Sequence, residues 1–234
     1  MTTPSPLPDP ELAVLWSDAA AAGTRPLVVA LHGYGSDERD LAGLAGFFRD
    51  VDLAALRAPF AHGSGFAWFP VTTPGVPDPA AVDAAAARVA RWIDAEVPIG
   101  RKVVLLGFSQ GAAVALQALR HRPERYAATV VLSGFVSPGS APGDETLAAR
   151  PTPVFWGRDV ADPVITPIAI QRTAAYLPAH ALLTSRTYNG LGHGISRAEL
   201  ADVEVFLATA LRDLADTEPG PARVRGPIRS KGTS

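Results

Sequence analysis

In the stretch Gly107-Phe108-Ser109-Gln110-Gly111, a serine sits between two glycines where a continuously apolar run gives way to an alanine-rich segment. This G-x-S-x-G spacing is that of a sharp strand-to-helix turn that holds a nucleophilic serine out toward a substrate. The same two glycines also fit a packing role, letting a strand and a helix meet closely. A serine hydroxyl is a weak nucleophile at neutral pH, so a chemical role needs a base, and the base needs an orienting carboxylate. In this kind of site the chain order is serine, acid, histidine. His180 and His193 are the histidines that follow an acid placed after Ser109. His180, in "LPAHALL", reads as a surface or structural residue. His193, in "NGLGHGIS", lies in a glycine-rich loop able to carry an imidazole over Ser109, and is the candidate base. The acid comes from "WGRDVADPVITP": Asp162 is the first choice and Asp159 the alternative, since both also suit turns.

Acyl chemistry at Ser109 further requires donors for a developing oxyanion. The backbone N–H of Gln110, opening the next helix, is one candidate. The second belongs to the early glycine-rich loop in "LVVALHGYGSDERDL", where the Tyr34 N–H is flanked by Gly33 and Gly35. His32 precedes the serine at a strand end and reads as a support for that loop. Asp37, Glu38 and Asp40 read as charged residues opening a solvated helix rather than as metal ligands. No zinc-like spacing and no phosphate-binding loop occurs.

Strands and helices must position these residues. Residues 26–33, 101–108, 127–134 and 152–157 are short, continuously apolar runs, as expected of parallel strands covered on both faces. Residues 51–59 read as a further strand and 182–190 as a weaker one near an edge. Helical patterns span 79–97, with Val82, Ala86, Val89, Trp92 and Ile93 on one face, then 110–121 and 196–214. Ser196 and Glu199 have the spacing of a capping box. The alternation predicts an α/β domain around a mostly parallel sheet with helices on both faces. The interval 137–151 reads as a loop too short for a cap domain, and 62–79 as a glycine- and proline-rich loop carrying Phe66, Trp68, Phe69 and Val71.

Composition narrows the classes. With 234 residues and 47% hydrophobic content, the chain supports one domain with a large core. A formal net charge of -2 gives no reason to expect nucleic acid or an anionic membrane surface. The absence of cysteine removes disulfides, thiolate metal sites and a cysteine nucleophile. No apolar run approaches the roughly 20 residues that span a bilayer, and no signal peptide is evident, so a cytoplasmic protein is expected. Residues 1–10 read as a flexible segment, 11–214 as the domain, and 215–234 as a disordered tail.

The motifs "LHGYGSDERDL", "GFSQGAAVAL", "DPV" and "LGHGIS", in this order, resemble the phospholipase/carboxylesterase group of α/β-hydrolases, which includes acyl-protein thioesterases. The similarity covers roughly residues 12–212. It implies an α/β-hydrolase fold, Ser109 as nucleophile, Asp162 as acid, His193 as base, and oxyanion donors at Tyr34 and Gln110. It places Trp68 and Phe69 of "AWFP" beside the substrate cleft. The implied reaction is hydrolysis of a small-molecule ester without cofactor or metal; a homodimer is compatible with it. Longer acyl chains or thioesters, or ligand binding without catalysis, are the alternatives. Two departures stand out. Ala112 occupies a position often held by glycine, and the spacing from Gly157 to Asp162 is long, which keeps Asp159 in contention.

Overall fold

A computed structural model describes residues 12–17, 21–71, 73 and 76–217, with side chains through Arg212. The segment 1–10 and the tail from residue 218 onward lie outside the described residues. The strands are β1 (Val14–Trp16), β2 (Leu27–Leu31), β3 (Asp52–Leu56), β4 (Phe60–His62), β5 (Gly65–Ala67), β6 (Val103–Phe108), β7 (Ala128–Leu132), β8 (Thr152–Asp159) and β9 (Ala181–Tyr188). The helices are α1 (Glu38–Ala42), α2 (Pro79–Glu96), α3 (Gln110–His121), α4 (Asp144–Ala149), α5 (Pro167–His180) and α6 (Arg197–Thr217). Seven strands form one sheet in the order β1-β3-β2-β6-β7-β8-β9, parallel except for β1.

The sheet explains why its strands read as unbroken apolar runs. Alternate residues of one strand feed two separate cores. Leu27, Val29 and Leu31 pack with α2 and α3 on one face, whereas Val28 and Ala30 pack with α1 and α6 on the other. Helix α3 runs through the first core with every residue from Gln110 to Arg120 buried, and its alanines and glycine keep it thin enough to fit there. Helix α2 starts at Pro79 behind the N-cap Asp78 and buries Val82, Ala85, Ala86, Val89 and Ile93. Trp92 is only partly buried, against Trp16 of β1 at 5.6 Å between ring centroids.

Several elements escaped the sequence reading. Strand β1 is three residues long, and β4 and β5 form a short hairpin that begins just before the span read as a loop and runs into it. Helix α5 buries only Ala169, Thr173 and Leu177, a stripe one residue wide, and carries Pro178 in its last turn. Its amphipathic signal is therefore faint. The interval 137–151 holds the short helix α4. Helix α6 continues to Thr217, past the expected domain end at 214.

One buried ion pair ties α4 to the first core. Arg120 uses its whole guanidinium: Asp144 accepts from Nε and NH2, Gln117 and the Ser137 carbonyl from NH1, and the Gly139 carbonyl from NH2. Tyr176 of α5 adds a hydrogen bond from its hydroxyl to Asp144 at 2.6 Å. Burial alone would push the Asp144 carboxyl up, but hydrogen bonds from Arg120, Tyr176 and the Ala141 N–H bring it down to about 2. The unfolded chain takes up this proton first, so the pair's contribution is complete above about pH 4 and fades as pH falls toward 2. Asp144→Ala, which strands the buried Arg120 charge, should cost about 3 kcal/mol in urea denaturation at neutral pH. The gap between variant and wild type should narrow as the pH is lowered through that window. A gap that stays constant with pH would show that the pair does not carry the difference.

Candidate active site

Strand β6 ends at Phe108 and α3 begins at Gln110, so Ser109 alone makes the turn, at φ 53° and ψ −114°. A side chain in that conformation is strained by about 1–3 kcal/mol and persists only where its surroundings dictate it. Here the Ser109 N–H donates to the Leu132 carbonyl at 2.9 Å, and the Ser109 carbonyl accepts from the N–H groups of Ala112 and Ala113. The flanking glycines let backbones close on one another. A Cβ on Gly107 would lie 2.4 Å from the Gly111 carbonyl oxygen, and one on Gly111 would lie 2.0 Å from that of Leu31. The packing role and the presentation of Ser109 are thus the same fact.

Three loops at the carboxyl ends of the strands converge on this turn, as ligand sites in parallel sheets do. Ser109 Oγ lies 2.8 Å from His193 Nε2, and His193 Nδ1 lies 2.8 Å from Asp162 Oδ2. The structure therefore brings Ser109, His193 and Asp162 into one hydrogen-bonded chain. A proton on Nδ1, donated to Asp162, leaves Nε2 free to accept from the serine hydroxyl. The Asp162 side chain is fully buried, and its Oδ1 also accepts from the N–H groups of Val164 and Ile165. Phe108 packs beside the imidazole at 5.0 Å between ring centroids.

Asp159 is not part of that chain. Its Oδ1 accepts from the Ala161 N–H at 2.6 Å and its Oδ2 from the Gly192 N–H at 2.7 Å. These amides hold its carboxyl below the usual carboxylate range. Asp159 thus ties the end of β8 to the loop that carries His193. His180 is equally remote: it ends α5, stacked on Tyr176.

Tyr34 and Gln110 border the same cleft as Ser109, and the backbone N–H of neither donates to another group among the described residues. The loop carrying Tyr34 is clamped to β5, with the Gly35 N–H donating to the Phe66 carbonyl and the Phe66 N–H to the Ser36 carbonyl, each at 2.8 Å. His32 supports that loop from beneath. Its Nδ1 meets the Gly33 carbonyl at 2.7 Å and its Nε2 accepts from the Ala58 N–H at 3.0 Å, an arrangement that fixes a neutral ring. Burial pushes the same ring's pKa down. Asp37 caps α1 and Asp40 pairs with Ser36, but Glu38 is not solvated as its neighbours suggested. It is 4% exposed, and both its oxygens accept from Arg57.

A cleft of about 220 Å³ opens over Ser109, walled by Tyr34, Phe69, Val71, Phe135, Val164 and Ile165 among others. Phe69 lies where expected, at the cleft. Trp68 does not line it. Its indole is buried, 5.6 Å from the His32 ring, and its Nε1 donates to the His32 carbonyl. The two residues lie in the bend that follows β5, where Trp68 turns into the core and Phe69 reaches the cleft. A further role went unread in the sequence: the Gln110 side chain accepts from the Trp68 N–H and donates to the Phe69 carbonyl, both at 2.8 Å. A buried glutamine at the start of a helix was the available signal.

The sequence profile of the phospholipase/carboxylesterase family matches residues 18–211. The chain belongs to this family. A probable carboxylesterase of Oryza sativa subsp. japonica is 29% identical over 86% of this chain and 83% of its own length. Acyl-protein thioesterase 1 of Saccharomyces cerevisiae is 27% identical over 80% of this chain and 93% of its own. The crystal structure of Arabidopsis thaliana SOBER1 superposes with a TM-score of 0.69 at 25% identity, covering 80% of this chain and 99% of that one. The fold is that of an α/β-hydrolase, and the chain is a hydrolase of the esterase class.

Both departures from the family pattern have a structural explanation. The Ala112 methyl group occupies space left by Gly134, where a Cβ would lie 2.3 Å from it. The long spacing before Asp162 is taken up by β8, which continues through Asp159 before the chain turns. Gly111→Ala should prevent the turn from closing and cost at least about 3 kcal/mol, because backbone rather than a movable side chain blocks the methyl group. Thermal unfolding of the variant checks this. A loss of only a few tenths of a kcal/mol would mean that β2 and α3 can separate freely.

Proposed function

We propose that this chain cleaves carboxylic esters of short to medium acyl chains through an acyl-Ser109 intermediate. The observation that carries the reading is the Ser109–His193–Asp162 chain of hydrogen bonds, set at a strained turn beside two unpaired amides. As Ser109 Oγ attacks the ester carbonyl, His193 Nε2 takes its proton, and Asp162 stabilises the imidazolium without becoming protonated. Charge gathers on the former carbonyl oxygen, where the Tyr34 and Gln110 N–H groups are fixed in advance of the reaction. His193 returns the proton to the departing alcohol. Water deprotonated by the same imidazole then attacks the acyl-serine and releases the acid. These steps use only groups of this chain. Asp159, through Gly192, steadies the His193 loop.

Two expectations separate this reading from its rivals. Asp162→Asn should lower kcat by about a thousandfold or more, since it favours the wrong imidazole tautomer. Asp159→Asn keeps an acceptor for the Gly192 N–H and should cost less than about tenfold. Steady-state kinetics on any soluble ester decides between the two. A larger loss at Asp159 would move the acid to that residue.

Substrate size follows from the cleft. At about 220 Å³ it is below the range of roughly 300–1,000 Å³ common for small-molecule pockets, which supports a compact acyl group. Each methylene buried against Phe69, Val71, Phe135 and Val164 is worth up to about 0.8 kcal/mol, near fourfold in kcat/KM. Across soluble esters from acetate to dodecanoate, kcat/KM should climb over the first few carbons and then decline, with no jump at the micellar concentration. Thioesters of the same acids belong in the panel, because the yeast relative is named a thioesterase and the steps above apply to a sulfur leaving group. A steady climb to the longest chain would favour an enzyme of long-chain acyl groups instead.

A further inference from the structure

Helix α6 opens just after the His193 loop. The Ser196 hydroxyl accepts from the Glu199 N–H at 3.1 Å, one half of the capping box expected there. The reciprocal half is incomplete: the Ser196 N–H lies near enough to the Glu199 carboxyl to favour its charged form but makes no hydrogen bond with it. The Glu199 carboxyl turns inward instead: the residue is 0% exposed, and neither oxygen has a hydrogen-bond partner. Oε1 presses on β8 at Gly157, where a Cβ would lie 2.1 Å from it, so the strand leaves a space that this carboxyl fills beside the Phe155 ring. Gly157 belongs to the strand that leads into Asp159 and Asp162.

The charged groups around Glu199 give it no counter-ion. On α6, Asp202 accepts from the Tyr188 hydroxyl of β9 and lies 4.0 Å from Arg186 of the same strand. On β8, Asp159 is held by the Ala161 and Gly192 amides, and in the preceding loop His193 is held by Asp162. An ionised carboxylate enclosed in this way has lost its water and gains only the nearby Ser196 N–H, short of a formed hydrogen bond. Burial and the nearby Asp202 charge outweigh that amide and push the Glu199 carboxyl up to about 7. A buried polar group without partners needs a reason to be there.

We infer that Glu199 is a positioning residue for His193: uncharged, it wedges the first turn of α6 against β8 and so holds the His193 loop in line with Ser109 and Asp162. The inference rests on reading His193 as the base for Ser109. When Glu199 loses its proton, the carboxylate must draw water inward or move outward. Either displacement lifts the first turn of α6 from Gly157, and the loop joined to that turn follows.

The test reads how fast a fluorophosphonate modifies Ser109, which needs the serine and its base but not the natural ester. Over about pH 6–9, the wild-type rate should fall at least threefold as Glu199 loses its proton. Glu199→Gln, similar in shape and never charged, should lack that fall. Glu199→Ala should react about tenfold more slowly at every pH, with Ser109→Ala as the unlabelled control. A purely structural role would lower the Tm of both variants without reshaping either profile. Superimposable profiles for wild type and Glu199→Gln would overturn the inference, and that comparison decides alone if the alanine variant does not fold. Wild-type protein that is never labelled would overturn the serine-hydrolase reading and this inference with it.

Discussion

The close approach of β2, β6 and α3 at Gly107 and Gly111 is the constraint from which the site follows. Because a helix meets two strands there with no side chain between them, the connecting residue has room only for a left-handed backbone. The strain this imposes on Ser109 is offset by the two apolar cores on either side of the sheet, where each large aliphatic side chain contributes roughly 1.5–3 kcal/mol. The first amide of α3, at Gln110, is left without a hydrogen-bond partner among the described residues at this turn. Relaxing the turn would release strain and displace both the serine hydroxyl and that amide, on which the proposed reaction depends.

Around that fixed point the loops are held by side chains outside the proposed reacting set. Gln110 bonds both the donor and acceptor sides of the 68–69 backbone, His32 links the Tyr34 loop to Ala58 and Trp68, and Glu38 joins α1 to Arg57. Arg57 in turn lies over the Phe66 ring at 4.7 Å, on the hairpin clamped to the Tyr34 loop. Individually such bonds contribute about 1 kcal/mol. Their effect lies in connection, since each loop is tied to a neighbour that is itself tied to the sheet. The His193 loop has the thinnest support: the bond from Gly192 to Asp159, the bond to Asp162, and the uncharged contact of Glu199 with β8.

What the sequence disclosed divides along physical lines. Strands buried on both faces announce themselves as apolar runs, and the turn at Ser109 carries its glycines because backbone contact demands them. That turn marked Ser109, and chain order with a glycine-rich loop marked His193, whereas Asp162 was preferred to Asp159 on the family resemblance; the fold brings Ser109, His193 and Asp162 together. Elements with little buried surface were not legible: β1, the β4–β5 hairpin, and α5 with its single stripe of Ala169, Thr173 and Leu177. Side-chain direction was lost as well. Neither the inward turn of Trp68 nor the buried pairing of Glu38 can be read from residue type, because each depends on a partner distant in the chain. Glu199 shows the same limit, since capping-box spacing fits a carboxyl that reaches back to the helix end and one that turns into the core.

Specificity must then reside in a different set of residues from reactivity. The proposed nucleophile, base, acid and amides touch only the carbonyl and its leaving atom, which every ester and thioester shares. Discrimination among acyl groups falls to Tyr34, Phe69, Val71, Phe135 and Val164, which sit on separate loops beyond the ends of the strands. Those loops exchange side chains at little cost to the cores, because bonds that anchor them run through backbone groups and through His32 and Glu38, which do not line the cleft. One scaffold can therefore be kept while its cleft is reshaped. The rim also determines what approaches. Tyr34 is 41% exposed, and its ring lies tilted against that of His62, 4.3 Å between centroids, which sets a polar pair beside the cleft wall.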